Sequence, residues 1–294
     1  MFVVMGATGQ AGGAVLETLK RRGAKVRAVA RDPARAGGLG VEVVRGEASD
    51  AASLAAAFKG AEAAFVMLVP PPQAADVLAE SRAIARAIAE AVRASGVPHL
   101  VALSSVGAQL ASGNGIVAAL HDFEAALAGS APSIVFVRPS YFMENWGPVL
   151  PAAQAGVLPS AQRPLDRRAE FVSTLDVGRT AAELLLEPRP GTRPGTRIVN
   201  LAGPAEYSPV DAAALLSRLL GKTVSAIPMS REETIAGLLA VGFGADCAAK
   251  VADLDDAANE GRIGFPTSGP TSGEIRRGTV TLEQALQRLV EGAS

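Results

Sequence analysis

The sequence predicts an α/β fold, a doubly wound parallel sheet with a smaller, interleaved α/β portion towards the carboxyl end. Three observations carry this. Residues 2–23 read as strand, glycine turn and helix. Short apolar runs then alternate with amphipathic helices as far as Val137, the rhythm of a parallel sheet covered on both faces. From Pro148 onward the pattern loosens into shorter elements.

Phe2-Val3-Val4-Met5 is a short buried strand, followed by Gly6, Gly9 and Gly12 at G-x-x-G-x-x-G spacing. Val15, Leu16 and Leu19 then recur on one face of a helix that ends near Gly23. A strand, a tight glycine turn and a helix together present unpaired backbone N–H groups and a positive helix end to a phosphate. This is the dinucleotide-binding arrangement of a Rossmann fold. Gly6, Thr8, Gly9, Gln10, Ala11 and Gly12 are therefore the candidate pyrophosphate residues; a purely structural loop is the alternative.

Residues 25–30 alternate at period two and form the second strand. A fold that prefers NAD carries Asp or Glu at the end of this strand, to bond the ribose hydroxyls. Here Ala30 and then Arg31 stand in that place, with Arg35 one short turn on. A guanidinium without a neighbouring carboxylate suits a 2′-phosphate, which favours NADP(H) over NAD(H). The alternative is that both arginines are solvated loop charges.

Val41–Val44 is the third strand, and Ser49 or Asp50 can cap a helix over 51–58. The apolar run 63–69 is a strand stopped by Pro70-Pro71-Pro72, which cannot extend a ladder. A helix over 76–95 closes at Gly96, a fifth strand covers 99–103, and Ser104-Ser105 stand at its end. A helix over 116–128 and a strand over 133–137 complete the series. Ligands in such sheets sit beyond the carboxyl ends of the strands. That places Glu47, Val69, Pro70, Leu103, Ser104, Pro139 and Tyr141 on the cofactor's edge.

Residues 138–146 hold the densest aromatic cluster in a chain with 4% aromatics. A substrate pocket of Ser105, Tyr141, Phe142, Asn145 and Trp146, with Pro70, suits a flat apolar molecule; packing between the two portions is the alternative. Further on, a strand over 171–174 runs into a helix over 176–187. A Pro/Gly/Arg loop over 188–194 precedes strand 197–200, read as the last strand of the main sheet. Helix 208–220, strand 224–227, helices over 231–241 and 246–258, a Gly/Pro/Ser/Thr-rich mobile loop over 264–278 and a helix over 281–290 complete the chain. The division expected is a nucleotide-binding domain over 1–150, completed by 195–202, and a smaller substrate domain over 151–294.

The 28 basic and 29 acidic residues nearly balance, giving no electrostatic case for nucleic acid or an anionic membrane. No apolar run approaches the ~20 residues of a membrane span. The first strand begins at residue 2, so no signal peptide is expected. Cys247 is the only cysteine, which rules out an internal disulfide and points to a reducing, cytoplasmic setting. His99, His121 and Cys247 are too scattered for a transition-metal site.

Gly6–Gly13, Arg31-Asp32-Pro33, Arg138–Asn145 and Phe171–Gly178 resemble, in order, the signatures of NmrA-like proteins, atypical members of the short-chain dehydrogenase/reductase superfamily. The resemblance covers essentially the whole chain. It implies a Rossmann domain, a small interleaved carboxyl-terminal domain and bound NADP(H). It also implies one of two functions: reduction of quinones, dyes or related acceptors, or catalytically silent sensing of NADP(H). Active members of the wider superfamily carry Tyr-x-x-x-Lys after the fifth strand. Aligned on Glu124, those positions fall on Ile116 and Leu120, and neither moves a proton. Tyr141 and Tyr207, the only tyrosines, are followed four residues on by Asn145 and Asp211. His121 and Ser105 remain as candidate catalytic residues, with a surface or capping role the alternative for His121. The expected function is an NADPH-dependent reductase of a quinone-like or other conjugated small molecule, without the Tyr/Lys pair and with a homodimer as one possible assembly. The alternative is a non-catalytic NADP(H) redox sensor. Hydride transfer to an acceptor that is already electrophilic needs mainly alignment, with the proton available from water.

Overall fold

The computed structural model describes residues 1–187, 195–269 and 271–292. The loop over 188–194 lies outside the described residues, as does the Arg35 side chain. The amino-terminal half runs β1 (Phe2–Met5), α1 (Gln10–Arg21), β2 (Val26–Ala30), β3 (Glu42–Arg45), α2 (Ala51–Phe58), β4 (Ala63–Met67), α3 (Val77–Ser95), β5 (His99–Leu103), α4 (Ala118–Leu127) and β6 (Ser133–Pro139). The remainder runs β7 (Tyr141–Phe142), α5 (Leu150–Gln154), β8 (Val157–Ser160), β9 (Ala169–Val172), α6 (Thr174–Leu186), β10 (Gly195–Ala202), β11 (Glu206–Tyr207), α7 (Pro209–Leu220), β12 (Ser225–Pro228), α8 (Arg231–Ala240), α9 (Ala245–Asn259), β13 (Glu274–Arg277) and α10 (Leu282–Gly292).

Eight strands form one parallel sheet in the order β3-β2-β1-β4-β5-β6-β10-β13. The order turns back between β1 and β4, and that switch point opens a crevice at the strands' carboxyl ends. Strand alternation feeds two apolar layers. Val3, Val66, Leu100 and Ile134 face α2, α3 and α4 with Phe58, Ile88 and Phe123. Val4, Phe65, Val101 and Val135 face α1 and α6 with Leu16, Leu19, Val177 and Leu184. A third apolar cluster joins Met143, Trp146, Leu158, Phe171, Leu216 and Leu286.

Local signals explain most boundaries. Asp50 caps α2, Asp76 caps α3, and Ser208 and Ser230 make capping boxes on α7 and α8. Gly96 and Gly221 end their helices in the left-handed conformation.

Four expectations change. β4 stops at Met67 rather than Val69, because Val69 has no neighbouring strand and is 63% exposed. The helix expected over 116–128 opens with a 3-10 turn, Gly115–Val117. Gly115 has φ +56°, and a Cβ there would lie 2.3 Å from the Lys250 carbonyl, so α9 presses on this turn. α6 begins at Thr174 because Ser173 is its cap.

The fourth is the loop over 264–278. Residues 274–277 are β13, the edge strand outside β10, with Val199 opposite Glu274 and Ala202 opposite Arg277. Strand 197–200 is thus not the last of the sheet. The segment lacks an apolar signature because its strand is an exposed edge held by charge. Arg276 pairs with Glu274 at 2.6 Å and with Glu187 at 3.3 Å, and Arg277 pairs with Glu170 at 2.9 Å. No helix among the described residues is long and apolar enough to cross a membrane.

Candidate functional site

The glycine turn after β1 is built by close approach. Gly6 takes φ +66°, and a Cβ at Gly12 would lie 2.2 Å from the Gly6 carbonyl oxygen. Only hydrogen fits there, which lets α1 start directly against the end of β1. The Gly9 N–H donates to the Gly6 carbonyl (2.9 Å) and Gly13 to the Gly9 carbonyl (2.8 Å). Gly9 caps α1 with no side-chain bond. Among the described residues the amides of Gln10, Ala11 and Gly12 have no acceptor. Thr8, Gly9 and Gln10 lie exposed at the crevice. Open amides plus the helix dipole make an anion cradle.

At the end of β2, Arg31 is exposed and has no hydrogen bond or ion pair among the described residues. The nearby acid is committed: Asp32 accepts the Ala34 N–H at 3.1 Å and caps the 3-10 helix Pro33–Leu39. Glu47, at the end of β3, is exposed and accepts from the Ala48 N–H at 3.1 Å.

Behind the ends of β5 and β6 lies a buried polar network. Arg138 donates twice to Glu124, through Nε at 2.8 Å and Nη2 at 2.6 Å, and its Nη1 reaches the Thr271 carbonyl at 3.2 Å. Ser104 donates to the same carboxylate at 2.5 Å. Its hydroxyl is therefore engaged, while Leu103 and Pro139 are buried beside it. The half-buried Ser105 donates to the Val106 carbonyl at 2.9 Å. His121 Nδ1 lies 2.9 Å from the Ala108 carbonyl, so it carries the proton and pins the β5–α4 loop. The Tyr207 hydroxyl accepts the Leu282 N–H at 3.3 Å.

The aromatic cluster divides. Tyr141 and Trp146 both contact the Phe171 ring, at centroid distances of 5.9 and 6.2 Å. Trp146 is only 8% exposed and belongs to the third apolar cluster, so it backs the site rather than lining it. Phe142 packs on the α1/α6 layer, and Asn145 is exposed. The Tyr141 hydroxyl is buried without a partner among the described residues. Burial, and then the charge of Asp255, push its pKa upward. Pro70 is half-buried, and its loop is tied across to the α8–α9 turn: Gly244 N–H donates to the Pro72 carbonyl at 2.7 Å.

Asp255 escaped the sequence reading. It lies on α9, where Asp253 and Asp256 pair with Arg231 and Asp246 accepts the Val77 N–H at 2.8 Å. A cavity of about 490 Å³ between α3, the 111–115 loop and α9 contains none of the candidate residues. Its charges pair with one another, as Arg82–Asp122 and Lys250–Asp253.

The profile of the NmrA-like family matches residues 1–261. The chain belongs to the NmrA-like family. Among its relatives, a (4-alkanoyl-5-oxo-2,5-dihydrofuran-3-yl)methyl phosphate reductase of Streptomyces griseus is 32% identical over 76% of this chain and 74% of its own. Quinone oxidoreductase 2 of Escherichia coli is 28% identical over 98% of each chain. The NADPH complex of an NADPH-dependent quinone oxidoreductase from Escherichia coli superposes with a TM-score of 0.78 at 27% identity, covering 99% of this chain and all of that one. The geometry explains two residues of the Phe171–Gly178 segment physically. Gly178 lets α6 touch α1, since a Cβ there would lie 2.3 Å from the Ala14 Cβ. Asp176 is buried and accepts the N–H groups of Thr279 (2.9 Å) and Val280 (2.8 Å).

Proposed function

We propose that this NmrA-like protein is an NADPH-dependent reductase of small molecules whose reducible carbon is conjugated to a carbonyl, quinones included. The observation that carries this is the open cradle at Gln10, Ala11 and Gly12, with the unpartnered Arg31 at the neighbouring strand end. A pyrophosphate satisfies the three amides, and a 2′-phosphate gives Arg31 the anion it lacks. Gly6, Thr8 and Gly9 shape the cradle. Arg35, Glu47, Val69, Pro70, Leu103, Ser104 and Pro139 are assigned to the remainder of the nucleotide edge, Ser104 through its backbone because its hydroxyl is taken. When bound, NADPH supplies a hydride.

Tyr141, Ser105, Phe142 and Asn145 form the acceptor side, with Trp146 behind them. The named activities of the relatives support the acceptor class, because quinones and 5-oxo-2,5-dihydrofurans both carry a carbon made electrophilic by conjugation with a carbonyl. Such acceptors need alignment more than activation, which fits a site without Tyr-x-x-x-Lys. Residues 1–150 with 195–202 bind the nucleotide. The remainder is the smaller substrate domain over 151–294, which backs the acceptor side and hands α6 and β13 back to the sheet.

The test is NADPH oxidation across a panel of quinones and unsaturated lactones, followed by loss of the reduced nicotinamide absorbance. Turnover above a heat-killed control is expected. Binding without turnover would instead leave the redox-sensor reading.

A further inference from the structure

The cavity of about 490 Å³ between α3, the 111–115 loop and α9 has no part in the reductase reading, yet its wall carries bonding capacity that the fold leaves unused. The clearest sign is Asn114, which is fully buried and lines the cavity. Its Nδ2 donates to the Gly107 carbonyl at 3.0 Å and to the Leu110 carbonyl at 2.8 Å. Neither Gly107 nor Leu110 lines the cavity. The nitrogen arm of the planar amide is thus turned away, and the oxygen arm is left to the cavity. Oδ1 has no partner among the described residues. A buried amide oxygen normally has a donor, so this one marks where a donor from outside the chain belongs.

The backbone beside it is open as well. Ser112, Gly113, Asn114 and Gly115 line the cavity and lead into the 3-10 turn and α4. Their N–H groups donate to no acceptor among the described residues. The loop is fixed from outside instead. Arg262, just beyond α9, donates to the Gly113 carbonyl and pairs with Glu260 at 2.6 Å. Free amides on a glycine-containing turn at the head of a helix suit an anion.

Side-chain charge agrees. Asp253 and Asp256 are each held by Arg231 at 2.6 Å, and Asp256 also by Arg163 at 3.4 Å; neither arginine lines the cavity. That leaves three cations on the wall, Arg82, Lys250 and Arg262, against two carboxylates, Asp122 and Glu260. Arg82 lies 3.4 Å from Asp122 and Lys250 lies 3.5 Å from Asp253, well beyond the ~2.8 Å of a tight charge-assisted bond. Both cations keep donors to spare.

We infer that this cavity binds a small phosphorylated polyol, a sugar phosphate in chemical class. The phosphate takes the open amides at the head of α4 together with Arg82 and Lys250. A ligand hydroxyl donates to Asn114 Oδ1, and Asp122 and Glu260 accept further hydroxyls. Both halves are needed, because a bare anion leaves Oδ1 without a donor and a neutral sugar leaves the cations unmatched. The volume falls within the about 300–1,000 Å³ of small-molecule sites. The inference stands apart from the nucleotide cradle and from the reductase reading.

Hydrogen–deuterium exchange of the full chain, read by mass spectrometry with and without glucose 6-phosphate, locates the site. Protection of residues 111–116 is expected. Protection confined to residues 9–13 would place the phosphate in the nucleotide cradle and overturn the inference, as would protection of neither segment. Calorimetric titration weighs the two halves of the ligand. Glucose 6-phosphate should bind about 5-fold tighter than inorganic phosphate, the worth of one neutral hydrogen bond, and glucose should not bind. Equal affinities for the sugar phosphate and inorganic phosphate would overturn the polyol assignment. Arg82→Ala and Lys250→Ala remove side chains outside the nucleotide and acceptor residues. Each should weaken glucose 6-phosphate about 5-fold, while Arg31→Ala should leave it unchanged. Affinity that survives the double variant Arg82→Ala/Lys250→Ala, or that falls in Arg31→Ala, overturns the inference.

Discussion

Glu144 reaches Ser173 and closes the amino end of α6. The Ser173 hydroxyl donates to Glu144 Oε1 at 2.6 Å, and the Thr174 N–H donates to Oε2 at 2.9 Å. The segment after β6 and the start of α6, far apart in sequence, are thus one capping unit, with Ser173 also accepting from Leu175. Glu144→Ala and Ser173→Ala should each cost about 1–2 kcal/mol. Because they share a bond, the double variant should lose less than the sum of the two. Urea denaturation of the four proteins measures the coupling, and strict additivity would disprove it.

The two inner glycines of the turn should separate folding from binding. Gly12→Ala drives a methyl into the Gly6 carbonyl and should cost about 3 kcal/mol. At Gly9 the same methyl meets that oxygen at 3.4 Å, an ordinary contact, so the stability cost should be about 1 kcal/mol or less. Gly9→Ala should nevertheless weaken NADPH, since its methyl would occupy the exposed approach to the cradle. Thermal melts paired with calorimetric titration distinguish the two effects.

Arg31 has no duty in the folded chain among the described residues, so Arg31→Ala should leave the melting temperature unchanged. It should weaken NADPH about 10- to 100-fold, the worth of a charged hydrogen-bonded contact, with little change for NADH. Equal losses for both nucleotides would show that Arg31 does not read the 2′-phosphate.

The Arg138–Glu124 pair is nearly dry, with side-chain exposures of 3% and 12%. Arg138→Met would strand the carboxylate beneath β5 and release the Thr271 carbonyl, at a cost of about 3–5 kcal/mol. Adding Glu124→Leu should recover much of that loss, because the desolvation penalty goes with the charge. Guanidinium chloride unfolding checks the order of the three stabilities.

The site was readable to unequal depth. The cradle was legible because glycines, strand and helix are contiguous, and the NADP(H) preference came from Ala30 and Arg31 standing next to each other. Tyr141 was also visible, at the end of a strand. Trp146 was expected to line the pocket yet is core, and His121, expected at the surface or a cap, is tied to a loop carbonyl. Residue type and spacing do not say which side chains face a cleft.

Apolar periodicity, caps and turn glycines by themselves determined the strand–helix alternation and the nucleotide-type opening, because these are local properties of a few consecutive residues. Tertiary structure alone decided that residues 274–277 become an edge strand and that Glu144 and Ser173 meet. Each of these depends on pairing and charge between segments some 30 to 75 residues apart, and such fields exist only once the chain has closed on itself.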